Sequence, residues 1–100
     1  MEANLSADRI SRIEERLRES LSPSQLTLED ESHLHAGHAG ARDGRGHFRL
    51  SIVSEHFQGV SRVKRHRLVY AALGDEMRRD IHALVIEAFT PAEWDARPQA

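Results

Sequence analysis

The sequence has no cysteine. That excludes disulfides, thiolate nucleophiles and any metal site built from the chain's own sulfur ligands. Proline is scarce at three residues and glycine at six, so the chain is neither collagen-like nor low-complexity. Aromatics number only five, three Phe, one Tyr and one Trp, which leaves few rings for stacking on nucleobases. No stretch approaches the roughly 20 consecutive apolar residues that span a bilayer. The N-terminus carries Glu2 and Asp8 without an apolar core segment, so no secretory signal is visible and a cytoplasmic address is expected.

What is present is a single-domain length of 100 residues, 39% hydrophobic and 30% charged, with a formal net charge of −2. The charge is unevenly placed: residues 1–32 hold eight acids and four bases, whereas 33–67 hold seven bases and two acids. A basic middle on an acidic chain suits a local anionic partner. Seven histidines are the compositional oddity. Imidazole is a common ligand for borderline metals, so each copy has to be placed.

Hydrophobic spacing gives the order α-β-β-α-β-α. Ser6 is positioned to cap a helix to about Ser20, with Ile10, Ile13, Leu17 and Leu21 on one stripe, ended by Ser22, Pro23 and Ser24. Leu26 and Leu28 alternate with polar residues as a short half-buried strand. Residues 32–46, with four glycines and three histidines, read as a mobile inter-strand loop. Phe48, Leu50 and Ile52 alternate in a second strand over 47–54. After a turn at Gln58 and Gly59, Ser61 caps a helix expected over 62–77, whose buried side includes Val63, Tyr70, Leu73 and Met77. The nearly continuous apolar run 81–89 reads as a buried strand. Thr90, Pro91 and Glu93 form a capping-box start for a last short helix through Trp94, before a polar tail at 96–100. The expected fold class is α+β, two layers with helices on a three-stranded sheet.

Several segments, in this order and at these separations, resemble the BolA family over roughly residues 9–95. They are Asp30-Glu31-Ser32, His47-Phe48, Phe57-Gln58-Gly59, Arg65-His66-Arg67, His82-Ala83-Leu84 and Thr90-Pro91-Ala92-Glu93-Trp94. The resemblance implies a fold similar to a class II KH domain. It also implies a [2Fe-2S] cluster bridged to a monothiol glutaredoxin, with glutathione supplied on the glutaredoxin side. The matching ligands are His82 and a histidine of the first inter-strand loop, His35, with His47 as the alternative to His35.

The chemistry agrees with a shared site. Thiolates are the usual ligands of such clusters, and imidazoles replace two of them on one iron in some proteins. A chain without cysteine can lend two imidazoles to a neighbour that lends two thiolates. Imidazoles must be deprotonated to bind, so binding weakens toward the ordinary histidine pKa of about 6.5. Against the ligand reading stand ordinary roles: a hydrogen-bonded His82 at a strand edge, a solvated His33-x-His35-x-x-His38 tract that binds zinc or nickel weakly, and His47 and His56 at strand ends or on the surface.

Arg62, Lys64, Arg65 and Arg67 place four cations within six residues at the start of a helix, where positive charge opposes the macrodipole. They are the candidate contacts for a protein partner or for DNA. The KH nucleic-acid loop G-x-x-G is not kept: the corresponding stretch is Gly59-Val60-Ser61-Arg62, and the literal match Gly37-His38-Ala39-Gly40 falls in the wrong loop. No Ser-His-Asp signature, P-loop, dinucleotide fingerprint or H-E-x-x-H occurs, so no enzyme is expected. The apo form is expected to be a monomer.

Overall fold

The computed structural model describes residues 5–31, 46–79 and 81–98. The histidine-rich segment, with His33, His35, His38 and the Gly37–Gly40 match, lies outside the described residues, as does the end of the tail. The elements are α1 (Leu5–Leu21), β1 (Gln25–Asp30), β2 (Gly46–Val53), a 3₁₀ turn (Glu55–Phe57), α2 (Arg62–Leu73), α3 (Glu76–Arg79), β3 (Ile81–Phe89) and α4 (Pro91–Ala96).

Local chemistry sets the boundaries. α1 begins at Leu5, so Ser6 lies inside its first turn rather than capping it. It ends where Ser22 adopts φ +43 and Pro23 cannot continue the helix. At the head of α2, the Ser61 hydroxyl accepts the Lys64 N–H at 3.3 Å. The expected helix over 62–77 is two pieces, because Gly74 takes φ +54, a conformation that favours glycine. At α4 the capping box is complete: the Thr90 hydroxyl accepts the Glu93 N–H at 3.1 Å, and the Glu93 carboxylate accepts the Thr90 N–H at 2.8 Å.

The sheet order is β1-β2-β3, with β1 antiparallel and β3 parallel to β2. Leu28 and Ile86 flank Leu50, and Leu26 and Ala88 flank Ile52, so these residues share one face. Ile13, Leu17 and Leu21 of α1, and Val69 and Leu73 of α2, complete the core against that face. Burying each such side chain contributes about 1.5–3 kcal/mol. Ser54 ties three elements together: its hydroxyl donates to the Leu21 carbonyl at 2.6 Å, and its N–H donates to the Phe89 carbonyl at 3.0 Å.

Two expectations of burial need correction. β3 is an edge strand rather than a strand buried on both faces; Ala83, Val85 and Glu87 are exposed, Val85 by 46%. The reason is that β2 takes the centre and α1 and α2 cover only one face. On α2 the buried residues are Arg65, Val69 and Leu73, whereas Val63 is 62% and Tyr70 42% exposed. Apolar residues surround this helix, so the stripe that meets the core is selected by packing. Trp94 is half-buried, with its ring edge-on to Phe89 at 5.4 Å.

Candidate functional site

β1 ends and β2 begins at the same end of the sheet, where the Glu31 N–H donates to the His47 carbonyl at 2.7 Å. Because β3 runs parallel to β2, it also starts there, and Gly46 pairs with Ile81. The register then steps to His47 opposite Ala83, so His82 is the extra residue of a bulge. Bulges interrupt strand alternation and are common beside functional sites. His47 and the backbone of His82 therefore sit on neighbouring strands, one position apart, and Glu31 and Gly46, the described residues that bound segment 32–45, lie beside them. Chain direction alone brings these sequence-distant positions together.

His47 is the second residue of β2, the strand-end position expected of it, but at 8% exposed it is buried rather than on the surface. It lies opposite Phe48 in the strand alternation, on the sheet face away from α1 and α2. Two residues on, Arg49 occupies the same face. Its guanidinium lies 3.2 Å from Glu31 and 3.6 Å from Glu87. The hydrogen bond it donates to Glu31 leads the causes that hold its pKa above the ordinary arginine value. Among the described residues no group of three His, Asp or Glu side chains is arranged to hold a metal ion. Of the expected ligands, the described residues bring His47 and the backbone of His82 to this sheet end, and His35 lies outside the described residues.

The basic run is elsewhere. α2 starts beyond the far end of β2 and returns antiparallel to the strands, so Arg62, Lys64 and Arg67 lie at the opposite end of the sheet from His82. These three are exposed, and no acid occupies the first turn. Arg65 is the exception among the four cations. It is buried at 7%, and its guanidinium is committed internally. It donates to the Val60 carbonyl at 2.8 Å, the Ala88 carbonyl at 3.0 Å and the Glu93 carboxylate at 2.6 and 3.2 Å. It cannot also face a solvent-side ligand without breaking these bonds, so the cationic surface consists of Arg62, Lys64 and Arg67. Glu93 answers this pairing: the Arg65 hydrogen bond, with that from Thr90, lowers its pKa to about 2.

Glu76 was not singled out by sequence. It is 1% exposed and lies 3.6 Å from the Nε atoms of both Arg12 and Arg16, fixing α3 to α1 just ahead of β3. Its only sequence signal is its place in the acid pair Asp75-Glu76 ahead of Met77, Arg78 and Arg79.

A family model described as BolA-like protein matches residues 17–93. The chain belongs to the BolA family. Its α+β fold agrees with solved members: BolA1 from Arabidopsis thaliana is similar with a TM-score of 0.73 and 44% identity, covering 85% of this chain and 94% of that one. Among curated relatives, SufE-like protein 1, chloroplastic/mitochondrial, of Arabidopsis thaliana is 54% identical across 82% of this BolA-like chain. This chain spans 24% of that protein and less than two thirds of several other relatives. The Haemophilus influenzae protein named DNA-binding transcriptional regulator BolA is 39% identical over 85% of this chain and 80% of its own length. Among the described residues, no helix is long and apolar enough to cross a membrane.

Proposed function

We propose that this BolA-family chain is a non-enzymatic adaptor that shares a [2Fe-2S] cluster, as cargo, with a monothiol glutaredoxin, for cluster trafficking or iron sensing. The observation that carries the reading is the bulge at His82 beside His47, at the sheet end where segment 32–45 is anchored by Glu31 and Gly46. His82 is the first proposed ligand. His35 is the second, with His47 as the alternative. His35 is four residues from Glu31, so covalent reach keeps its Cα within about 14 Å of that anchor. Without cysteine the chain offers imidazole nitrogens only, and the thiolates must come from the partner and its glutathione. Two neutral ligands in place of two thiolates raise the cluster's potential and make its retention depend on the partner.

The test is anaerobic reconstitution of the cluster on an equimolar mixture with a monothiol glutaredoxin, followed by visible absorption and circular dichroism. The mixture should give a spectrum distinct from that of the glutaredoxin alone. An unchanged mixed spectrum for His82→Ala would sink the assignment.

A second reading, a DNA-binding regulator, is favoured by one observation: Arg62, Lys64 and Arg67 form an exposed cationic surface at the opposite end of the sheet from His47 and His82. The name of the Haemophilus influenzae relative is in keeping with it. It requires salt-dependent binding to duplex DNA, with the salt slope reduced by about one for each phosphate contact removed. No binding at physiological ionic strength would remove this reading and leave the first intact.

A further inference from the structure

Among the described residues, β3 pairs with β2 along one side only. Phe89 turns its carbonyl inward to the Ser54 N–H, whereas the Ala88 carbonyl points outward and accepts from Arg65 at 3.0 Å. Strand alternation therefore sends the backbone groups of Ile86 and Leu84 outward as well. Natural edge strands are protected by short length, proline, lysine or a bulge. This one is nine residues long, lacks proline and lysine, carries Glu87 as its one charge, and has its bulge at the far end. Among the described residues, Arg65 closes this edge at Ala88.

Beside this edge is a groove of about 460 Å³, lined by Arg62 and His66 of α2 and by Ile86, Glu87, Ala88 and Phe89 of β3, with the Arg65–Glu93 pair in its wall. Glu93 neutralises Arg65, and Glu87 is drawn to Arg49 at 3.6 Å on the other face of the sheet. Arg62 is left as the groove's unbalanced charge, with the His66 imidazole beside it.

We propose that the β3 edge is a docking site for an extended acidic segment of a partner protein, which adds as a fourth strand and sets a carboxylate against Arg62 and His66. Backbone pairing supplies the affinity and the carboxylate fixes the register, the usual division of labour in strand addition. A second copy of the chain fits less well: antiparallel pairing about Ile86 sets Leu84 opposite Ala88 and brings no acid to Arg62. The site does not depend on the cluster reading, because six residues of strand, about 20 Å, separate Ala88 from His82. Both ends can be occupied at once.

The probe is an end-blocked, fluorescein-labelled peptide of alternating glutamate and valine, titrated at low salt into the full apo chain. A matched peptide N-methylated at alternate residues cannot donate to a strand edge. Anisotropy should show saturable binding, weakened about tenfold or more by N-methylation and by Arg62→Glu. Amide shifts should move at residues 62–66 and 84–88 and stay fixed at 46–47. Equal affinity for the two peptides, equal affinity of the Arg62→Glu variant with its fold verified, or absence of binding would overturn the proposal. So would concentration-dependent dimerisation through this edge, which assigns it to a second copy, or tighter binding of a single-stranded oligonucleotide at the same residues, which assigns it to nucleic acid.

Discussion

Arg65 and Glu93, 28 residues apart, meet through two parallel N–H···O contacts of 2.6 and 3.2 Å. The same carboxylate accepts the Thr90 N–H, so one side chain both caps α4 and binds α2. The guanidinium also lies 6.0 Å from the Phe57 ring. Three sequence segments that looked like separate signatures, 57–59, 65–67 and 90–94, are thus one structural junction. A planar fork that reaches two carbonyls and a carboxylate is a task for arginine, and lysine cannot reproduce it.

Removing that junction should cost stability first. Arg65→Ala leaves the Val60 and Ala88 carbonyls without their donor and is expected to lower unfolding free energy by about 2–3 kcal/mol. Arg65→Lys should recover less than half of the loss. Urea unfolding followed by far-ultraviolet circular dichroism checks both.

The pairing also sets an acid dependence. The Glu93 pKa falls from an ordinary 4.5 to about 2 on folding, chiefly through the Arg65 hydrogen bond. A depressed carboxylate stabilises the fold fully above its unfolded pKa, and that contribution is lost as pH falls through the folded value. The stability difference between the native chain and Glu93→Gln should therefore be constant above about pH 5 and shrink toward pH 2. A difference that persists undiminished at the acid end would refute the pairing as its source.

The second cluster ligand can be separated from its alternative. His47 is 8% exposed within β2, so His47→Ala should lower the melting temperature of the apo chain. His35→Ala should leave that temperature unchanged and alter the mixed glutaredoxin spectrum. Retention of the spectrum by His35→Ala, with its loss in a folded His47→Ala variant, would transfer the ligand role to His47.

The two ends of the sheet should behave independently. Combined replacement of Arg62, Lys64 and Arg67 by glutamate should weaken duplex DNA binding severely and reduce its salt slope, since those cations are the exposed set. The cluster-loaded mixture should keep its spectrum, because the histidine positions lie at the opposite end. Loss of the cluster spectrum in a folded variant would mean that one partner surface wraps both ends.

Gly74 is the pivot between α2 and α3. At φ +54 an added Cβ is strained, and it would meet the Arg16 guanidinium at 3.3 Å. Gly74→Ala is expected to cost about 1–3 kcal/mol, read as a lower urea midpoint.

Much of this protein follows from local order in the chain. Alternation marks Phe48, Leu50 and Ile52 as a strand, and Thr90, Pro91 and Glu93 start a helix with no help from elsewhere. The absence of cysteine fixes the most consequential point of chemistry: any thiolate that ligates an iron–sulfur cluster at this chain comes from another molecule. Only the tertiary structure decided that Arg65 turns inward, that β3 is an edge among the described residues, that Val63 and Tyr70 face solvent, and that Arg62, Lys64 and Arg67 lie at the opposite end of the sheet from His47 and His82. Spacing along a chain reports which residues share a side of an element; it does not report what covers that side. That is set by contacts between residues far apart in sequence, such as 65 with 93 and 47 with 83, whose positions follow from strand order and chain direction.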